Sequence, residues 1–341
     1  MAFRKLRQSI LKITSIQQEL SGLIEEKLSS LGLPENPFSL YEPVRYTLSL
    51  GGKRVRPYFA LTGCGLCGGD IEEAVPAAIA IELLHNFTLL HDDIMDGAAT
   101  RRGKPSVYRK WNASTAILSG DAMYAWAFDQ LQYYGRDDRY TKSQYAAILD
   151  IFLESARLVC EGQAYDLEFE SRSTVTVDDY LQMIRGKTAA LISGAFRLGG
   201  AVAGTSEARL GELHELGTEV GIAFQIQDDL LDIIADPEKF GKKQGGDILE
   251  GKKTYLSILS LQHGSAAQRS FLEEIFHKTD VSEEEVEEVI SLYQSLGIIR
   301  QASEAVKKHY ELAVSHLDNL DDSPYKEDLI EFLTMLINRE Y

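Results

Sequence analysis

The sequence predicts an all-α protein, and three observations carry that expectation. The eight prolines stand at positions 34, 37, 43, 57, 76, 105, 237 and 324, leaving none from 106 to 236. Proline disrupts helix interiors, so this gap leaves room for long helices. Thr176-Val-Asp-Asp179 and Ser282-Glu-Glu-Glu285 read as capping boxes, each opening a helix. Strictly alternating β-branched runs, the mark of strands, are scarce. The chain reads as one domain, 1–341, with no internal repeat of solenoid length and no low-complexity linker.

The elements follow in order. Met1–Leu20 mixes Arg4, Lys5, Arg7 and Lys12 with apolar residues. It lacks a secretory apolar core and a small-residue cleavage site, so it reads as a first amphipathic helix. Ala74–Met95 is apolar nearly all round, the pattern of a helix buried inside a bundle. Glu82, His85 and Asn86 interrupt it, which argues against a membrane span. After the Thr176 box, Leu181, Ile184, Thr188, Leu191 and Ile192 keep a helical spacing. Gly199-Gly200 and the glycines at 241–246 punctuate.

Composition narrows the function. Hydrophobic residues at 44% and charged residues at 26% suit a folded domain and exclude general disorder. A formal charge of −17 excludes general nucleic-acid binding, which needs cationic surface. Three cysteines, at 64, 67 and 160, are too few for a disulfide framework and point to a reducing, cytoplasmic setting. Cys64-Gly-Leu-Cys67 has zinc-knuckle spacing but no second Cys/His pair, so it reads as two small buried residues. Gly63-Cys-Gly65-Leu-Cys-Gly68 matches a dinucleotide fingerprint literally. The helical sequence around it lacks the required strand, so it reads as a helix end and loop.

Two acidic clusters carry the chemistry. Asp92-Asp93-Ile-Met-Asp96 and Asp228-Asp229-Leu-Leu-Asp232 are both DDxxD, set in apolar helical surroundings. Positions i and i+4 of a helix share a face, so the carboxylates repel one another. Burying such a cluster without counter-charge is very costly. Oxygen ligands suit Mg²⁺, which keeps several waters and shares its sphere with substrate phosphates. Basic residues lie near both clusters: Lys53, Arg54 and Arg56 beside Gly51-Gly52, then Arg101-Arg102, Lys187, Lys242-Lys243 and Lys252-Lys253. Arginine offers forked donors to phosphate and lysine a point charge. The expected ligand bears phosphate.

These residues resemble the trans-isoprenyl diphosphate synthases (polyprenyl synthetases) from about Leu40 to the C-terminus. The match runs through GGKRVRP at 51–57, ELLHNFTLLHDDIMDGAATRRGKPS at 82–106 and GDA at 120–122. It continues through EGQAYDL at 161–167, GKTAAL at 186–191, FQIQDDLLD at 224–232 and FGKKQGGDILEGKKT at 240–254. The resemblance implies a single large helical bundle around a deep central cavity, in a homodimer. It implies a Mg²⁺-dependent reaction, with three ions per site, that joins isopentenyl diphosphate to allylic diphosphates. By this pattern Asp92, Asp96 and Asp228 are the chief metal ligands, supported by Asp93, Asp229 and Asp232. Arg101, Lys187 and Lys252, with Lys242 beside them, bind the allylic diphosphate. Lys53, Arg56, His85 and Arg102 hold that of isopentenyl diphosphate. Thr188 and Gln225 turn oxygens toward the carbocation. Phe87 and Thr88 set chain length: one aromatic, one small residue and an uninterrupted DDIMD look most like geranylgeranyl (C20) producers, with C15 the runner-up. A terpene cyclase fits less well, because its second metal motif usually differs. A non-catalytic subunit would typically have lost one motif.

Overall fold

The structure, a computed structural model, describes residues 15–234, 244–278 and 280–337. Helices dominate: α1 (Ser15–Ser29), α2 (Phe38–Ser49), α3 (Val55–Leu66), α4 (Ile71–Met95), the one-turn α5 (Val107–Lys110), α6 (Ala113–Arg136), α7 (Lys142–Ser171) and α8 (Val177–Ile184). A π-helical turn, Arg185–Ala189, leads into α9 (Ala190–Val202), α10 (Glu207–Ile234), the short α11 (Gly246–Leu249) and α12 (Tyr255–His263). Then follow α13 (Ala266–Phe276), α14 (Glu283–Ser295), α15 (Ile298–Leu317) and α16 (Pro324–Ile337). The only strands among the described residues are β1 (Thr100–Arg101) and β2 (Lys104–Pro105), which pair antiparallel. The all-α expectation holds.

The chain forms two compact units, each drawn from separate stretches of sequence. The first takes Met1–Phe152, Ala195–Leu210 and Leu320–Ile330. At its centre lies α4, packed by α1, α3 and α6. Asp70 caps α4 by accepting from the Glu72 N–H at 3.0 Å, and Glu72 and Glu73 complement the helix dipole. Pro76 lies inside the helix. Nearby, the Tyr134 hydroxyl enters the ladder, donating to the Glu73 carbonyl at 2.8 Å and accepting from the Ala77 N–H at 3.1 Å. The phenol thus bonds both members of one i, i+4 backbone pair of the helix. Among the described helices α4 alone is long and apolar enough to cross a membrane, yet 67% of its apolar window is buried inside the protein. That burial fits the all-round apolar sequence: α4 is a core helix.

The second unit takes Leu153–Gly194, Gly211–Asn319 and Glu331–Tyr341. There α12 packs against α8, α14 and α15. Gln227 of α10 donates to the Leu336 carbonyl at 2.6 Å and accepts from the Tyr310 hydroxyl at 3.1 Å, tying α10 to α16 and α15. Both expected capping boxes form, at Thr176/Asp179 and Ser282/Glu285.

Two local expectations change. The continuous helix read from Leu181 to Ile192 is broken by the π turn. Gly199-Gly200 do not end a helix but lie within α9, where Gly199 rests against the Ala60 carbonyl of α3. Of the first amphipathic helix, α1 begins at Ser15, with Leu20, Ile24 and Leu28 buried. Residues 1–14 fall outside the described residues.

Candidate active site

In the first unit the DDxxD motif closes α4, with Asp96 as the C-cap. A helix C-terminus carries partial negative charge, so three aspartates there raise a local need for cations. They divide by exposure: Asp93 is buried, Asp92 half-buried and Asp96 exposed. Arg101 meets the buried carboxylate with two hydrogen bonds, Nε at 2.9 Å and Nη2 at 2.5 Å to Asp93 Oδ1. Burial pushes the Asp93 carboxyl up and Arg101 opposes that shift. Arg101 was expected on the allylic diphosphate. Here its guanidinium braces Asp93 and lies 3.9 Å from Asp92.

Arg101 arrives there on a hairpin. Arg102 (φ 54°) and Gly103 (φ 73°) are both left-handed, the pair that a tight two-residue hairpin turn requires. The turn lays the Arg102 guanidinium on Gly52 (φ 143°). A Cβ at Gly52 would stand 2.6–2.9 Å from the guanidinium atoms. The second glycine before Lys53 therefore has a steric purpose: Gly52 is the seat of Arg102.

Beside this seat, Arg56 Nη1 lies 3.2 Å from His85 Nε2. Burial, then Arg56, Arg102, Arg101 and Arg54, push the imidazole pKa well down. His85 is therefore neutral and its Nε2 accepts from Arg56. Burial also lowers Arg56, to about 10, so it stays charged at neutral pH. Arg56 Nε is buried with no hydrogen-bond partner. An unmet cationic donor beside Arg102 suits an anion. Lys53 lies exposed in the same loop. The structure thus gathers Arg56, His85 and Arg102 as expected.

Phe87 and Thr88 are half-buried on α4. Thr88 turns its hydroxyl back to the His85 carbonyl at 2.8 Å. Phe87 begins a row of rings: 4.7 Å to His91, 5.3 Å to Tyr124, and from Tyr124 6.1 Å to Phe152.

In the second unit the same division recurs. Asp229 is buried, Asp232 half-buried and Asp228 exposed. Asp229 accepts from the Tyr180 hydroxyl at 2.7 Å, the Tyr255 N–H at 3.0 Å and Gln225 Nε2 at 3.0 Å. Burial still pushes it up to about 6, with Asp228 adding to the shift. Asp232 accepts from the N–H groups of Gly246 and Asp247 at 3.2 and 3.0 Å. Thr188 Oγ1 donates to Gln225 Oε1 at 2.8 Å, so the two oxygens expected near a carbocation are here bonded to each other. Lys187 pairs with Asp166 at 2.5 Å, and Lys252 with Glu250 at 2.6 Å. Lys242 lies outside the described residues.

The π turn carries Lys187 and Thr188. It presses on Gly162 of α7, where any Cβ would collide with the Lys187 backbone nitrogen. Such turns recur at functional sites because they re-aim side chains.

Asp166 and Asp247 were not singled out as site residues. Asp247 is pushed up to about 8, chiefly by burial and then by Asp229, Asp232 and Asp228. The sequence signal was present in Gly-Gly-Asp247, but its packing against the aspartate motif was not. This crowding of carboxylates, with Lys252 3.9 Å from Asp247, offers all-oxygen donors of the kind that suit a hard divalent cation. Among the described residues no group of three or more Asp, Glu, His or Cys side chains is placed to hold a metal ion by itself.

Residues 38–293 match the family model described as polyprenyl synthetase. The chain is 37% identical to a geranylgeranyl pyrophosphate synthase of Geoglobus acetivorans, over 96% of this chain and all of the relative. It is 35% identical to a short chain isoprenyl diphosphate synthase of Methanothermobacter thermautotrophicus, over 97% of this chain and all of that one. The solved geranylgeranyl pyrophosphate synthetase from Pyrococcus horikoshii superposes with a TM-score of 0.89 at 38% identity, covering both chains completely.

Proposed function

The chain belongs to the polyprenyl synthetase family and is a trans-prenyltransferase, and from that premise we propose that it extends allylic diphosphates with isopentenyl diphosphate to geranylgeranyl diphosphate (C20). The observation that carries the reading is the donor set Arg56, neutral His85 and Arg102 on its Gly52 seat, next to an aspartate motif that needs cations. This set, with Lys53, is fitted to hold the diphosphate of isopentenyl diphosphate. Lys187, Lys252 and Arg101 serve the allylic diphosphate.

Asp92, Asp96 and Asp228 would hold Mg²⁺, whose charge offsets the negative charge developing on the departing diphosphate. The buried Asp93 and Asp229 keep the basic loops in place. Thr188 and Gln225 present dipoles without a nucleophile, which suits a site that must survive a carbocation. The released diphosphate accepts the proton lost at the end, so no side-chain base is required. Helix walls exclude the water that would quench the cation. The two units work as one catalytic domain, and the enzyme acts as a cytoplasmic homodimer.

The C20 length rests on Phe87 with small Thr88 beside it, and on the printed names of several relatives. The test is incubation of the purified chain with isopentenyl diphosphate and each allylic starter, with and without Mg²⁺. C20 product that disappears in excess chelator is the expected result. A product that stops at C15 would refute the length, and turnover unaffected by chelator would refute the mechanism.

A further inference from the structure

Between Lys53 and Arg56 the chain turns one arginine inward. Arg54 is left-handed (φ 46°) and its side chain is 3% exposed. It donates through Nη1 to Glu82 Oε1 at 2.6 Å, through Nε to Glu25 at 2.7 Å and through Nη2 to the Leu48 carbonyl at 2.8 Å. Glu82 is 2% exposed and also accepts from Asn86 Nδ2 at 3.0 Å. It lies on α4 three residues before His85, on the same helix face. Its carboxylate is thus a buried negative charge inside the basic cluster, and it acts electrostatically on Arg54, Arg56 and Arg102 together.

A buried carboxylate in an anion site is an unexpected choice. It opposes the diphosphate that the arginines attract. It also holds those arginines together when no anion is present, since like charges packed without a counter-ion would drive the loop off α4.

We propose that Glu82 is the internal counter-ion of the isopentenyl diphosphate site: it assembles the arginines before substrate arrives and sets the affinity below what their charges alone would give. The proposal rests on the assignment of Arg56, His85 and Arg102 to that diphosphate. Glu82 touches no substrate; it is a positioning residue that acts through Arg54 and its neighbours.

Glu82→Gln separates charge from geometry, because an amide oxygen can still accept from Arg54 and Asn86. The full chain would be titrated calorimetrically with isopentenyl diphosphate and with inorganic pyrophosphate, and both KM values measured. Removing one nearby negative charge at an effective dielectric of about 20 should tighten isopentenyl diphosphate on the order of tenfold. The allylic KM should stay within about twofold. The ligand-free Tm should fall by roughly 5–10 °C, and pyrophosphate should restore it. The double variant R54Q/E82Q removes the pair and leaves the net charge unchanged, so its affinity should return to within about threefold of wild type. It also decides the matter if Glu82→Gln fails to fold. Unchanged or weaker binding by a folded Glu82→Gln, or a tenfold loss in the double variant, would overturn the proposal. Arg56→Ala is the control: if it leaves isopentenyl diphosphate binding intact, the site assignment itself is wrong.

Discussion

Gly52→Ala offers a sharp test of the diphosphate seat because the structure fixes where the new methyl must go. It would lie 2.6 Å from Arg102 Nη2, 2.7 Å from Cζ and 2.9 Å from Nη1. Real Cβ atoms do not approach so closely, so the guanidinium must leave its place. The backbone resists as well, since φ is 143°, a region L side chains rarely adopt. Arg102 would then lose the charge-assisted hydrogen bonds proposed for it with the diphosphate, each worth about 1.5–3 kcal/mol. The KM for isopentenyl diphosphate should rise roughly 10- to 100-fold. The allylic KM should change much less, because Lys187 and Lys252 belong to other elements and Arg101 keeps its hydrogen bonds to Asp93. Initial rates with one substrate varied and the other saturating give both constants, and circular dichroism shows whether the helices persist. A well-folded Gly52→Ala enzyme with an unchanged isopentenyl diphosphate KM would refute the claim that this glycine seats Arg102. An equal rise in both constants would show general disruption instead.

Asp92→Ala and Asp228→Ala should each lower turnover by about 10²–10³-fold or more while the Tm stays put or rises, since each removes a repelling carboxylate; calorimetry and Mg²⁺-supported turnover read both. His85 has a folded pKa below its unfolded value near 6.5, so it gives full stability above that pH and loses it as the pH falls. Denaturant titrations from pH 7 to 5 should show a wild-type loss of up to about 1.4 kcal/mol per pH unit that His85→Gln lacks; equal slopes would place the imidazole elsewhere. Cys64 is buried and pushed up to about 12, whereas Cys160 is exposed. Maleimide at pH 8 should therefore label Cys160 in the native protein and Cys64 only after unfolding, as mapped by mass spectrometry. Phe87→Ala should lengthen the product by about one C5 unit, with Tyr124 behind it preventing indefinite growth, and chromatography of the dephosphorylated products decides.

What the sequence revealed and concealed follows from the range of the interactions involved. Both capping boxes depend on residues three apart, so Thr176 and Ser282 could be read directly. The burial of α4 showed as apolarity nearly all round. The π turn was invisible because the residue it packs against, Gly162, lies on another helix. Likewise Lys187 was legible as a cation, but its partner Asp166 lies 21 residues away, on α7. Glu82 read only as an interruption in an apolar helix. Its pairing with Arg54 needs the left-handed turn that points that arginine inward.

The structure also gives a reason for the doubled aspartate in each motif. A cation alone would be served by the outer carboxylates, Asp92 and Asp96 in one motif, Asp228 and Asp232 in the other. In both motifs the middle aspartate is buried and faces protein donors. Asp93 accepts from Arg101, whose hairpin presents Arg102 to Gly52. Asp229 accepts from the Tyr255 N–H, which opens α12 three residues after Lys252. Each middle carboxylate therefore holds a segment that carries a cation proposed for substrate phosphate. Burial raises its pKa in both cases, and hydrogen bonds to its ionised form oppose that rise. With the outer carboxylates proposed to hold Mg²⁺, metal ligation and anchoring of the basic segment would be joined in five residues. A loss of the middle aspartate would act first on the basic segments; of the outer ones, loss of Asp232 would also loosen the Gly246–Asp247 segment, from whose N–H groups it accepts.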